Sequence, residues 1–298
     1  MADGGISRLR TVVFVAPEKL RAGISGALAA QGFKDVTETG SATEFVDHAK
    51  FNDIDLVITL GPGEEMAVGN LIRDLRLGLL ETSPFPIVLA LLPTANKEEV
   101  IATIDSGVDD VLLFPLSVDA LVKRIKQFSQ DRRPFVITHD YVGPDRRVNP
   151  RADQAGSLLV KVPNPVRSRC VGVPDQDIRR GIEDAILVIN RDKLKLNGLH
   201  LLRLLFDFCG DDETPPTGAL TPSDFLQACM KSCDDTARRA RGSSERPIRE
   251  RAAAAAMTLR SFLGATDPTT DPRFESLFRS IEGVVNEISA YHGVELKL

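Results

Sequence analysis

The chain has no apolar run approaching the roughly 18–20 residues that span a bilayer. Membrane insertion is therefore not expected. The opening Met1-Ala2-Asp3-Gly4-Gly5 lacks the basic region and apolar stretch of a signal peptide, which gives a cytoplasmic expectation. A surplus of basic charge is missing as well: 37 Lys and Arg stand against 42 Asp and Glu, for a formal net charge of −5. Long-range attraction to nucleic acid or to an anionic membrane does not follow from such a balance. The four cysteines, Cys170, Cys209, Cys229 and Cys233, show no paired metal-ligand spacing. Cys229 and Cys233 are one helical turn apart and are expected to pack in a core. No Ser-His-Asp arrangement, phosphate-cradling glycine loop or carboxylate pair is recognisable, so neither an enzyme, a metal nor a cofactor is expected.

What is present is an ordinary globular composition, 43% hydrophobic and 27% charged, over 298 residues. That length suits two domains better than one core. The first part alternates short apolar runs with helical stretches. Thr11–Val15, Asp55–Leu60, Pro86–Leu92 and Asp110–Phe114 read as buried strands, and Asp35–Thr39 as a shorter extended segment. Between them Lys19–Gln31, Ala42–Lys50, a segment to about Leu80, and Lys97–Ser106 have helical spacing. Gly32 and Gly107 sit where helix ends need glycine. A last helix opens at Ser117 and lines up Leu121, Val122, Ile125 and Phe128. Apolar strands alternating with amphipathic helices predict an α/β, doubly wound, five-stranded parallel sheet.

Gly32-Phe33, Asp55-Leu56-Val57-Ile58, Phe85-Pro86-Ile87-Val88, Gly107-Val108-Asp109-Asp110-Val111-Leu112 and Pro115 follow one another in an order and spacing that resemble the receiver domain of bacterial response regulators. The resemblance covers about two fifths of the chain, residues 9–131. It implies a flavodoxin-like fold, and a partner or dimer surface on the fourth helix, fifth strand and fifth helix. Lys97, Glu98, Lys123 and Lys126 fall on that face and equally suit a solvated surface.

The chemistry of the family is where the sequence departs. By the ungapped fit, the phosphoacceptor aspartate position is Leu60 and the acidic pair for Mg²⁺ falls on Val15 and Ala16. The switch hydroxyl position is Leu91, and the lysine before the late proline is Phe114. Valine and alanine offer a hard cation no oxygen, and an aliphatic side chain cannot form an acyl phosphate. Without a cation, nothing pairs with an added negative charge. A degenerate site is expected. Glu64 and Glu65 in the following loop read as ordinary acids opening a helix.

From Ser129 to Pro174 prolines and arginines accumulate and helical periodicity stops, so 132–174 is expected to be a linker. Phe135–Thr138 and Leu158–Val162 interrupt it as short β-like runs. Tyr141-Val142-Gly143-Pro144-Asp145-Arg146-Arg147 is similar to a motif that recurs in bacterial signalling proteins. Arg147 and Arg151 also fit the R-x-x-x-R pattern of PilZ domains, which bind cyclic di-GMP. Arg146, Arg147 and Arg151 are thus candidate ligand or partner contacts, since arginines at such spacing can clamp phosphates. The second PilZ motif is missing, and a solvated basic segment is the plainer reading.

Beyond Pro174 an all-α helical bundle is expected over 175–298. Asp177–Asn190 and Leu199–Cys209 read as helices, the second buried around most of its circumference. Thr221-Pro222-Ser223-Asp224 opens a helix to about Arg241, Arg249–Leu263 is alanine-rich, and Asp271-Pro272 starts the last helix. Phe274, Leu277, Ile281, Val284 and Ile288 form a seam that packs within the bundle or pairs two copies. His200 lies between leucines and reads as a core or interface histidine rather than a phosphotransfer site. Arginines cluster around Gly242, but interspersed acids dilute them. The expected function is a phosphorylation-independent signalling adaptor that binds a protein partner, or itself as a homodimer. A cyclic-dinucleotide-responsive regulator and a DNA-binding regulator are the alternatives.

Overall fold

The computed structural model describes residues 5–61, 67–146, 157–209, 220–263 and 271–296. Ten of its elements build one α/β layer structure in chain order: β1 (Arg10–Phe14), α1 (Glu18–Ala30), β2 (Asp35–Thr39), α2 (Ala42–Phe51), β3 (Leu56–Leu60), α3 (Ala67–Leu77), β4 (Ile87–Leu92), α4 (Lys97–Asp105), β5 (Asp110–Leu113) and α5 (Val118–Phe128). The five strands pair in the order β2-β1-β3-β4-β5, all parallel. This is the flavodoxin-like order, with the reversal between β1 and β3.

Strand alternation explains why the runs are apolar without a break. Val13, Val15, Ile58, Leu89 and Leu91 share one cluster with Ile24 and Leu28 of α1 and with Leu121, Val122 and Ile125 of α5. Val12, Phe14, Val57, Val88 and Ala90 share the opposite cluster with Phe45 and Ala49 of α2 and with Ile72 and Leu75 of α3. The central strands β1, β3 and β4 are covered on both faces, so both faces must be hydrophobic. Local signals set the helix ends: the Ser41 and Ser117 hydroxyls accept from Glu44 N and Ala120 N, each at 3.2 Å. Gly32 closes α1 at φ 94°, a left-handed position that costs glycine nothing.

The chain forms two compact units, one of Met1–Val136, Tyr141–Pro150 and Leu159–Ile186, the other of Ile137–Asp140, Arg151–Leu158 and Leu187–Leu298. These divisions fall elsewhere than a linker over 132–174 would put them. The expected β-like runs are strands β6 (Phe135–Ile137) and β8 (Leu158–Val160), and with β7 (Val142–Pro144) they form a small sheet in the order β7-β6-β8. A short helix α6 (Pro165–Cys170) follows, capped by Asn164, whose side chain accepts from Arg167 N at 3.0 Å. Much of this segment is part of the first unit because its side chains are buried there: Phe135 and Val166 are fully enclosed. Arg132 and Arg169 are almost as enclosed, and each reaches a buried aspartate.

The second unit is helical. Two helices expected over 177–190 and 199–209 are one, α7 (Asp175–Cys209). Only glycines, with no proline, interrupt its interior, and an interior glycine costs about 1 kcal/mol without ending a helix. Gly198 has a packing reason: a Cβ there would meet Leu296 Cδ1 at 2.6 Å and Ile288 Cγ2 at 3.3 Å. Helices α8 (Pro222–Arg239), α9 (Arg246–Arg260) and α10 (Phe274–His292) complete the unit. Leu194, Leu201, Phe225, Cys229, Cys233, Leu259, Leu277, Ile281, Val284 and Ile288 belong to one core cluster. The α10 seam is therefore buried within the bundle, and Phe208 stacks on Phe225 with ring centroids 4.3 Å apart.

Candidate functional site

In a doubly wound sheet, ligands and reacting groups collect at the carboxyl ends of the strands. Leu60 ends β3 and pairs in register with Leu91 of β4. Val15 follows β1, its amide donating to Thr39 O at 3.1 Å, and Phe114 follows β5, its amide donating to Leu92 O at 2.7 Å. Val15 and Leu91 belong to the buried cluster of this sheet face, and Leu60 and Phe114 pack against it half-buried. Leu91 is 1% exposed. Ala16 alone of the five positions faces solvent. Gly61 N donates to Leu91 O at 2.8 Å, and a Cβ at Gly61 would lie 2.0 Å from Leu92 Cδ2. The Leu92 side chain thus closes over the strand end.

The chemical content of this edge follows from its atoms. Four apolar side chains meet there, and none offers a nucleophile, a proton-transfer group or a hard oxygen ligand. Among the described residues, no group of three or more His, Cys, Asp or Glu side chains is placed to hold a metal ion. Glu64 and Glu65 lie outside the described residues.

Of the three candidate arginines, Arg147 and Arg151 also lie outside the described residues. Arg146 is half-buried, and its Nη2 donates to Val108 O at 2.7 Å. Burial, first, and the neighbouring Arg133 hold its pKa below the ordinary arginine value. At least one of the arginine's donors is thus spent on the sheet unit itself.

Close by lies a buried charge cluster that the sequence reading does not anticipate. Asp109, just before β5, accepts from Arg76 Nη2 of α3 at 2.7 Å and from Arg132 Nε at 3.0 Å, and its Oδ2 also caps Val88 N at 2.9 Å. Arg76 also donates to the carbonyls of Pro84, Pro86 and Gly107. Both guanidinium groups lie over the Phe135 ring, at 5.2 and 4.8 Å from its centroid. Burial brings Arg76 down to about 10 against the opposing pull of Asp109. One signal was available: Arg76 stands four residues after Ile72 on the stripe that α3 buries, where a charge needs a partner.

In the helical unit the polar residues are likewise used structurally. Lys193 is fully buried, donating to Thr138 O at 3.0 Å and to His139 O, with Asp235 Oδ2 3.7 Å away. Burial lowers it to about 8, with Asp235 opposing. His200 is half-buried and stacks on His139 with centroids 3.8 Å apart. Burial, then the neighbouring His139, lowers its pKa to about 4. The arginines around Gly242 are largely engaged: Arg239 with Asp235 and Asn190, Arg246 with Glu250, Arg249 with Ala240 O, and Arg251 with Glu287.

Solved structures similar to the N-terminal two fifths of the chain include response regulators. A response regulator from Thermotoga maritima is 27% identical over 40% of this chain and 96% of its own, with a TM-score of 0.35. A protein of Burkholderia pseudomallei described as pilus assembly-related is 23% identical over 41% of this chain and 90% of its own, with a TM-score of 0.36. A chemotaxis response regulator of Vibrio cholerae is 18% identical over 40% of this chain and 98% of its own, with a TM-score of 0.35. No protein-family model matches the chain, and no curated protein matches it.

Proposed function

We propose that the chain is a response-regulator-like signalling protein whose receiver-like unit works without phosphorylation, as a scaffold for contacts with a protein partner. One observation carries this reading: the positions where a receiver needs an acyl-forming carboxylate, cation ligands and a lysine hold Leu60, Val15, Ala16 and Phe114, with Val15 in the core and Leu60 and Phe114 packed against it. A phosphoryl group there would need a carboxylate to carry it and a cation to balance it. The same edge would have to expel buried leucine to admit either. With no replacement chemistry in view, binding remains the use that an intact α/β scaffold and a helical unit serve.

Incubation of the full chain with acetyl phosphate and Mg²⁺, read by intact mass, tests the reading. The expected mass is unchanged. Affinity capture from native cytosol is expected to retain the same partner with treated and untreated bait. A phosphoryl adduct mapped to residues 9–131 overturns it.

A further inference from the structure

We propose that the cleft between the amino ends of β1 and β2 and the carboxyl end of α2 binds a guanidinium group, of the kind an arginine side chain carries. The cleft has a volume of about 230 Å³. It lies at the opposite edge of the sheet from Leu60 and Leu91, so the proposal does not depend on the fate of the phosphorylation site.

Strand alternation sets the lining of the cleft. Arg10 and Val12 of β1 point to the α2 side of the sheet, and their register partners on β2 are Asp35 and Thr37. All four line the cleft, and α2 brings His48 and Phe51 to its other wall. Arg10 Nη1 pairs with Asp53 at 2.7 Å and Arg179 Nη2 with the same carboxylate at 3.0 Å. Arg10 also pairs with Asp175, and Arg169 pairs with Asp55 and Asp175. Three arginines and three aspartates close on one another. Asp35 is left over, with no side-chain hydrogen bond or ion pair among the described residues.

Two further features select the ligand. Phe51 is 87% exposed, so the face of its ring is open to a flat cation. The cleft also receives the carboxyl end of α2, where the helix dipole favours positive charge. A guanidinium suits this combination better than an ammonium. Its planar fork pairs with a carboxylate through two parallel hydrogen bonds, and its weakly hydrated faces stack on an aromatic ring.

The test is a two-dimensional amide NMR titration of the full chain with ethylguanidinium chloride, with the capped peptide acetyl-Ala-Arg-Ala-amide, and with ethylammonium chloride. Saturable shifts are expected at Thr37, His48 and Phe51 with both guanidinium probes, and about tenfold weaker binding with ethylammonium. The shifts are expected to vanish in Asp35→Asn and to weaken several-fold in Phe51→Ala; both side chains are exposed, so neither change threatens the fold. Tighter binding of the peptide than of ethylguanidinium supports an arginine of a partner chain, and equal binding supports a small-molecule source. Shifts that do not saturate, that persist unchanged in Asp35→Asn, or that ethylammonium reproduces with equal affinity overturn the proposal.

Discussion

Asp109 shows how a single side chain decides local architecture. It is buried between two guanidinium groups and a strand amide, and both of its carboxylate oxygens accept hydrogen bonds. The stacked histidines of the helical unit carry a pH signature. His200 sits at about 4 in the folded chain because burial and His139 disfavour its charge. The ordinary histidine value is about 6.5. As pH falls through that range the unfolded chain takes up a proton that the folded chain refuses, so folding stability is lost between about 6.5 and 4. Asp140 and Asp207 favour the charged form and Lys193 opposes it, which sets where in that window the folded group titrates. Urea unfolding at pH 7 and pH 5 is expected to show a larger loss of stability in the native chain than in His200→Gln. Parallel losses in the two proteins would show that the stack does not titrate as argued. Neither role is readable from the chain alone: His200 is legible as a residue between leucines, but its partner His139 lies 61 positions away.

At the scale of elements, the strand ends matter most. β3 and β4 end side by side, with Leu60 paired to Leu91, and the loop after β1 adds Val15 to the same apolar layer. Restoring one carboxylate would not restore the chemistry, because Val15, Ala16 and Phe114 would still supply neither cation ligands nor a counter-charge. The variant Leu60→Asp, incubated with acetyl phosphate and Mg²⁺, is therefore expected to show no phosphoryl adduct by intact mass. A stoichiometric adduct would show that a carboxylate at position 60 suffices without those partners. Helix ends on this unit were legible because capping is local: Ser117 and Gly32 each act within four residues of themselves. The length of α7 was not, since its continuity past Gly198 answers to the close approach of Ile288 and Leu296, far along the chain.

At the scale of the whole molecule, the first unit needs residues beyond its last sheet helix. Arg132 neutralises Asp109, Phe135 covers Phe85 with ring centroids 6.1 Å apart, and Arg169 meets Asp55 at 3.1 Å. A fragment ending at Asp131 leaves Asp109 with Arg76 alone and leaves Asp55 without Arg169. Leaving a buried charge without its partner costs about 3–5 kcal/mol, and exposing a core phenylalanine costs about 1.5–3 kcal/mol. A fragment of residues 1–131 is thus expected to unfold at lower urea than one of residues 1–186, followed by circular dichroism. Equal midpoints would mean that the segment after α5 adds nothing to the sheet unit.

Patterns that act over a few residues were enough to establish the parallel α/β unit, its five strands, the helical character of the second unit and the identities at the apolar strand ends. Apolar runs, four-residue helical spacing and end caps are local, and each constrains its own element whatever surrounds it. Where the compact units divide, which arginines are consumed in buried pairs, and that Asp35 stands without a counter-charge beside an open ring were settled only by folding. Those facts depend on pairs such as Asp55 with Arg169, 114 positions apart, whose meeting no local pattern encodes. Burial then fixes their energetics, because a charge taken out of water must find a partner wherever the fold brings one.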